Sequence, residues 1–139
     1  MSFGPLPSQL CLLSALPLKS IGDKVRFLGC VKAYTLSTAT LQLQHRDASH
    51  ATVTALVDVR LVLERLTSDQ RRTGEWVNVM GYVTAILSDN RRPGELLVHV
   101  QALLLWSAGA LDIQQYQASA QSFQPSLDVS STDGEDNVP

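Results

Sequence analysis

Side chains suited to catalysis or metal binding are few in this sequence, and they are scattered. The three histidines and two cysteines never occur at the short spacing of zinc ligands; they are His45, His50, His99, Cys11 and Cys30. The run His45-Arg46-Asp47 matches part of a kinase catalytic loop, but no glycine-rich loop, strand lysine or Asp-Phe-Gly accompanies it. The sequence therefore favours a protein that is not an enzyme and that holds neither a metal nor a cofactor.

Basic and aromatic side chains that suit a nucleic acid are present in modest number. Of the 13 acidic residues, four lie from Asp128 onward, so the rest of the chain carries 11 basic and 9 acidic residues. This surplus does not by itself indicate a nucleic acid. Stacking of a base on an aromatic ring contributes roughly 1–3 kcal/mol, but aromatic residues make up 6% of the chain. A weak phosphate contact and plain solvated basic positions therefore both remain open.

Two segments with the period-two alternation of β-strands carry a glycine at the same place. The alternating residues are Val25, Phe27, Gly29 and Val31 in the first segment and Val77, Val79, Gly81 and Val83 in the second. Glycine weakens a strand, unless a bend, a bulge or a close crossing requires a residue without Cβ. Two aligned glycines therefore indicate strands that curve to close a barrel.

The same periodicities place the other elements. Strands are predicted over 24–36, around 41–44, around 53–57, over 75–86 and over 95–106, with a terminal helix from about 110 to 124. Between the third and fourth strands, Val59, Val62, Leu63 and Leu66 have α-helical spacing behind a plausible N-cap, Asp58. The predicted fold is therefore all-β: a single five-stranded OB-fold barrel with a helix between strands 3 and 4 and a C-terminal helix.

Four regions follow from this order. They are an N-terminal arm packed on the barrel (1–22), the barrel (23–108), a C-terminal partner-binding helix (109–124) and an acidic, disordered tail (125–139). The apolar run at 10–18 has no basic region before it and contains Pro17, which argues against a signal peptide. No apolar run approaches the roughly 20 residues of a membrane span. We expect a soluble, intracellular protein that does not enter a membrane.

The outward phase of the predicted strands is more apolar than a solvated sheet requires. It contains Trp76, Met80, Tyr82 and Ile86 on strand four, Leu28 and Cys30 on strand one, and Leu97, Leu103 and Leu105 on strand five. A monomer rarely leaves so large an apolar patch exposed. The terminal helix either caps this face or joins it in binding a partner, and we favour the partner because Tyr and Met are enriched in interfaces. The candidate partner-binding residues are Met80, Tyr82, Ile113, Tyr116, Ala120 and Phe123.

The predicted OB-fold also indicates where residues that bind a nucleic acid would lie. OB-folds bind oligonucleotides across strands 2–3 and between the loops that join strands 1–2 and 4–5. The second of these loops carries Arg91 and Arg92. The outward phase of the first strand contains Arg26, Lys32 and Tyr34, and Tyr34 also lies near the first loop, where it could stack on a base.

Three stretches carry a family resemblance: "GDKVRFLGCV" (22–31), "LQLQH" (41–45) and "GEWVNVMGYV" (74–83). Together they resemble the Ten subunit, the smallest subunit of the fungal CST (Cdc-Stn-Ten) telomere-capping complex, over about residues 5–123. The resemblance implies a single OB-fold with a C-terminal helix, similar to the smallest subunit of replication protein A. It also implies a 1:1 heterodimer with a Stn-type OB-fold subunit, in which the two terminal helices pack together.

The same resemblance implies a function at chromosome ends, in the nucleus. The complex binds single-stranded telomeric DNA and protects the end, and this chain would contact the DNA weakly or through its partner. Met80, Tyr82 and the helix stripe match the partner-facing elements, and Lys32, Tyr34 and Arg91–Arg92 match positions where an OB-fold would meet DNA. Two alternatives stay open: a stand-alone single-stranded DNA-binding protein, and a small subunit of the replication protein A type.

Overall fold

The computed structural model describes residues 7–45, 52–88 and 94–109. Six of the predicted site residues lie outside these ranges; they are Arg91, Arg92, Ile113, Tyr116, Ala120 and Phe123. The acidic tail and nearly all of the predicted terminal helix lie outside them as well. The corresponding expectations therefore remain predictions.

The strands of the described residues form one sheet that closes on itself. They are β1 (Gln9–Leu10), β2 (Lys24–Thr35), β3 (Thr40–Gln44), β4 (Thr52–Asp58), β5 (Trp76–Ser88) and β6 (Glu95–Ser107). Their order is β1-β2-β3-β4-β6-β5, and β2 also pairs with β5, which closes β2 to β6 into a five-stranded barrel. Within the barrel β4 and β6 run parallel and the other pairs are antiparallel. The predicted all-β OB-fold is confirmed, with β1 as an added edge strand.

The barrel is filled by the valine, leucine and phenylalanine side chains that alternate along these strands. Val25, Phe27, Leu41, Leu43 and Val57 are each 0% exposed. The N-terminal residues add to this core: β1 runs parallel to β2, and a 3₁₀ helix, Leu13–Leu18, buries Leu13 and Leu16 completely. Burial of apolar side chains stabilises the fold by roughly 25 cal/mol for each Å² removed from water.

The segment between β4 and β5 forms two short 3₁₀ helices, Arg60–Arg65 and Asp69–Arg71, in place of the predicted α-helix. With three residues per turn, positions i and i+3 line up, whereas position i+4 leaves the stripe. Val59 and Val62 are accordingly buried, whereas Leu63, which α-helical spacing placed with them, is 45% exposed. The N-cap is Val59, but the Asp58 carboxylate still accepts the backbone N–H of Arg60 at 3.0 Å.

Both strand glycines lie where another part of the chain comes too close for a side chain. A Cβ on Gly81 would overlap the Gln101 carbonyl, with the carbonyl carbon at 2.8 Å and the Ala102 Cα at 3.0 Å. The β5–β6 register shifts between Met80 and Gly81, which marks a bulge. A Cβ on Gly29 would lie 2.9 Å from the Leu43 Cβ. The glycines therefore serve the barrel, as the sequence predicted.

Three register shifts change which side chains face inward. The β2–β3 register shifts between Val31 and Ala33, and the β5–β6 register shifts twice. Each extra residue exchanges the inner and outer phases of the strand beyond it. Tyr34, Ile86 and Leu105, which we predicted to point outward, therefore pack against the core.

Leu28 also departs from the expectation that the outer phase of β2 is exposed. It belongs to the outer phase of β2, opposite Asn78, yet it is 0% exposed. The prediction that Leu28 contributes exposed apolar surface is therefore wrong.

Candidate partner and nucleic-acid interface

One face of the barrel combines apolar side chains with a basic edge. Residues paired across neighbouring antiparallel strands point to the same side of a sheet. The pairs are Lys24 with Tyr82, Arg26 with Met80, Met80 with Leu104, and Asn78 with Trp106. We call these seven residues of β2, β5 and β6 the outer face.

The centre of the outer face is apolar and accessible. Tyr82 is 37% exposed, Leu104 42% and Trp106 38%, and Met80 is half-buried beside them. The predicted partner residues Met80 and Tyr82 thus lie together, next to the predicted DNA contact Arg26. Such a surface suits a protein partner that offers apolar side chains inside an acidic rim, because interfaces have an apolar centre and a polar periphery.

Two residues of the outer face, Leu104 and Trp106, were missed by the sequence analysis. Our prediction took Leu103 and Leu105 as the outward residues of this strand, but the register skips Leu103, so Leu104 and Trp106 point outward instead. The run from Leu103 to Trp106 is apolar in both phases, so alternation carried no signal for its orientation.

A second group of functional candidates lies at the other half of β2. Lys32 is exposed and occupies the register shift of the strand. The Tyr34 ring packs against the core, and the Arg71 guanidinium lies over it, 5.5 Å from the ring centroid. Arg72 follows in sequence and pairs with Asp69 at 2.7 Å. We call Lys32, Tyr34, Arg71 and Arg72 the basic corner; the sequence analysis did not single out its two arginines.

The face that usually binds nucleic acid in this fold has a different character. The outward side chains of β3 and β4 are Thr40, Gln42, Gln44, Thr52, Thr54, Leu56 and Asp58. They include amide and hydroxyl groups, such as Gln44, which donates from Nε2 to the Thr54 hydroxyl at 2.8 Å, but neither a cation nor an aromatic ring. The described part of this face therefore offers hydrogen bonds without electrostatic attraction.

Arg60, two residues beyond the end of β4, is paired with a carboxylate. The Arg60 guanidinium binds the Asp58 carboxylate at 2.6 Å, and this hydrogen bond holds the pKa of the Asp58 carboxyl below its ordinary value. Arg60 is thus occupied by a carboxylate of its own chain.

His45 and Cys11 are both buried. His45 is 8% exposed and meets the Trp76 ring edge to face, with centroids 5.1 Å apart and planes at 83°. Burial raises the pKa of the Cys11 thiol to about 11, so this thiol stays protonated at neutral pH. Among the described residues no group of three potential metal ligands occurs. None of the described helices is long and apolar enough to cross a membrane.

Comparison with known families assigns the chain. The family model described as "Ten1: Telomere capping, CST complex subunit" matches residues 1–121. The chain belongs to the Ten1 family. The resemblance found in the sequence is thereby confirmed, and a chain of the Ten1 family is a telomere-capping subunit and not an enzyme.

Solved structures agree with the Ten1 assignment. A chain of the S. pombe Stn1–Ten1 complex is 28% identical with a TM-score of 0.58, and the match covers 86% of this chain and 93% of that one. The S. pombe telomere-capping protein Ten1 is 28% identical with a TM-score of 0.56, covering 84% of this chain and 96% of that one.

A further structure is similar in fold alone. Replication protein A of U. maydis bound to ssDNA is 20% identical with a TM-score of 0.52, over 84% of this chain and 88% of that one. No curated protein sequence is significantly similar to the chain.

Proposed function

We propose that this chain forms a 1:1 heterodimer with a Stn-type OB-fold subunit, and that the dimer binds single-stranded DNA at chromosome ends in the nucleus. The observation that carries the proposal is the outer face, where Tyr82, Leu104 and Trp106 expose apolar surface on the paired strands β5 and β6. Membership of the Ten1 family and the likeness to a chain of the S. pombe Stn1–Ten1 complex support it.

The contact has two parts in this proposal. The first part is formed by residues of β5 and β6, which are Met80, Tyr82, Leu104 and Trp106. The second part is formed by the stripe of the predicted terminal helix, which consists of Ile113, Tyr116, Ala120 and Phe123. We call these two parts the strand side and the helix side of the contact. Stable interfaces bury about 1,600 Å² in total and depend on a few central anchors, aromatic ones above all. Arg26 at the edge favours an acidic residue on the partner.

Co-expression with the Stn-type subunit tests the proposal. The expected result is a 1:1 complex in size-exclusion chromatography with light scattering. The double variant Tyr82→Ala with Leu104→Ala should weaken the complex by roughly 10- to 100-fold, because each anchor contributes more than about 1 kcal/mol. Leu36→Ala is the control, since Leu36 is 76% exposed but lies in the turn between β2 and β3. A chain that stays monomeric with its partner present contradicts the proposal.

The helix side has its own test. Tyr116→Ala with Phe123→Ala should disrupt the heterodimer and leave the barrel folded, as followed by circular dichroism. Loss of the fold would instead show that this segment caps the outer face within the chain.

The charge of the described surface argues against a stand-alone DNA-binding protein. The β3–β4 face has no cation among its described residues, and Arg60 is paired with Asp58. We expect weak binding by the isolated chain, measured by anisotropy with a single-stranded oligonucleotide at two salt concentrations. Tight, steeply salt-dependent binding without a partner would favour the stand-alone function. A replication role of the replication protein A type differs only in the partner, which co-purification from cells identifies.

A further inference from the structure

We propose that the basic corner binds the backbone of single-stranded DNA, with Arg71 as the central contact and Lys32 beside it, away from the β3–β4 face. The proposal deepens the function above and rests on it, since it assigns part of the DNA contact of the dimer to this chain.

The chain before β5 runs along the second half of β2 and brings the corner together. The backbone N–H of Val31 donates to the Glu75 carbonyl at 2.8 Å, and that of Gly74 donates to the Val31 carbonyl at 2.9 Å. The Thr73 hydroxyl donates to the Lys32 carbonyl at 3.4 Å. These bonds fix the 3₁₀ turn Asp69–Arg71 beside the register shift of β2.

Arg71 is held in place by an aromatic ring. Its guanidinium lies 5.5 Å from the centroid of Tyr34, whose ring packs against the core and whose hydroxyl is buried. A cation over a ring gains about 0.5–1 kcal/mol at exposed sites. A guanidinium that is already positioned also loses less side-chain freedom when it binds a phosphate.

Arg71 is also available to an anion. Arg72, the other arginine of the basic corner, already pairs with the Asp69 carboxylate. Among the described residues, no carboxylate lies within ion-pair distance of Arg71 or Lys32. Besides Asp69, the segment 69–75 contains one acidic residue, Glu75, so Arg71 and Lys32 outnumber the carboxylates that are left unpaired there.

The geometry fits a single strand in particular. A guanidinium that lies over the Tyr34 ring can still donate hydrogen bonds to a phosphate, and an arginine can also stack on an unpaired base. Bases are open to such stacking in a single strand, whereas in a duplex they are stacked on one another. Lys32 adds a point charge for the neighbouring phosphate.

Fluorescence anisotropy of the full-length heterodimer provides the test, with an oligothymidylate of about 20 nucleotides, longer than the roughly 4–16 that one OB-fold covers. Arg71→Gln and Lys32→Gln should each weaken binding several-fold and lower the slope of log K against log salt by about 0.7. Glu75→Gln should strengthen binding. Arg65→Gln is the matched control, because Arg65 is an exposed arginine of the other 3₁₀ helix, and it should change neither quantity.

Variants of Tyr34 separate positioning from charge. Tyr34→Leu removes the ring but keeps every cation, so affinity should fall while the salt slope stays near that of the wild type. Tyr34→Phe keeps the ring and should bind as the wild type does. Thermal melts of each variant dimer confirm that it is folded.

The outcomes distinguish the two proposals. A wild-type dimer that binds the oligonucleotide, with Arg71→Gln and Lys32→Gln indistinguishable from Arg65→Gln, overturns the basic corner and leaves the proposed function standing. A wild-type dimer that binds no single-stranded DNA overturns both.

Discussion

Replacement of Gly81 by alanine should destabilise the barrel more than the same change at the other glycines. The new Cβ would meet backbone atoms of β6, at 2.8 Å from the Gln101 carbonyl carbon and 3.0 Å from the Ala102 Cα. Favourable carbon–carbon contacts need about 3.5–4.0 Å. The backbone cannot rotate away as the end of a side chain can, so β5 and β6 must separate.

The size of the effect follows from this separation. Overpacking costs about 1–3 kcal/mol, and weakening one or two neighbouring β5–β6 hydrogen bonds adds about 1 kcal/mol each. We expect a loss of about 3–4 kcal/mol in the free energy of unfolding, against a total of about 5–15 kcal/mol for a typical domain. The Tm should fall by roughly 10–15 °C.

Two other glycines provide the comparison. At Gly29 the obstructing atoms belong to the side chains of Leu43 and Leu13, at 2.9 and 3.0 Å, so alanine there should cost about 1–3 kcal/mol. Gly22 has a φ of 96° and no atom within 4 Å of a new Cβ, so only the left-handed backbone, about 1–2 kcal/mol, opposes alanine.

Urea unfolding followed by tryptophan fluorescence measures all three variants, because Trp76 and Trp106 lie on β5 and β6. Gly81→Ala should also weaken the heterodimer, since Gly81 lies between Met80 and Tyr82. A Gly81→Ala variant within about 1 kcal/mol of the wild type, or less affected than Gly29→Ala, would refute the close approach of the two strands.

Three further predictions concern stability. Tyr34→Phe should leave the unfolding free energy unchanged or raise it by up to about 1 kcal/mol, because the buried Tyr34 hydroxyl has no hydrogen-bond partner among the described residues. A loss of more than about 1 kcal/mol in urea unfolding would show that the hydroxyl stabilises the fold. Val62→Ala should cost about 1–2 kcal/mol and Leu63→Ala under about 0.5 kcal/mol, since Val62 is 7% and Leu63 45% exposed; equal losses would instead indicate an α-helix. Burial raises the pKa of the Cys11 thiol from 9.0 to about 11, so the unfolded state loses this proton at a lower pH than the folded state does. The stability that the thiol contributes is therefore full below about pH 9 and declines toward about pH 11. Urea unfolding at about pH 8 and above about pH 10 should show a smaller decline for Cys11→Ala than for the wild type, and an equal decline would contradict this prediction.

The barrel could be predicted from the sequence because its interior pattern is redundant. Valines and leucines alternate on every strand, and each glycine stands within such a run, so pattern and topology indicate the same fold. The position of a bulge has no such signal, because it depends on how two strands twist against each other. Tyr34 and Leu105 were therefore assigned to the wrong side, although their strands were predicted.

The remaining differences have physical causes of the same local kind. Val59, Val62, Leu63 and Leu66 fit an α-helix in spacing, but spacing alone does not distinguish an α-helix from the tighter 3₁₀ turns that join β4 to β5 here. Arg71 occupies a polar stretch with no periodicity. Its value as a candidate comes from Tyr34, 37 positions away in sequence, whose ring turns inward only because the β2 register shifts at Lys32.

The register shift at Lys32 also explains how one strand can serve two partners. From Lys24 to Cys30 β2 pairs with β5 and contributes Lys24 and Arg26 to the outer face; from Cys30 to Thr35 it pairs with β3, and this half contributes Lys32 and Tyr34 to the basic corner. The protein contact and the DNA contact that we propose therefore use different halves of β2. Because the corner supplies only two available cations, its contribution to DNA binding is small by itself. The corner contributes more when the partner subunit binds the same DNA strand, since the contact with the corner then becomes intramolecular. A Ten1 subunit with few basic residues is consistent with such shared binding, in which the heterodimer is the unit that binds DNA.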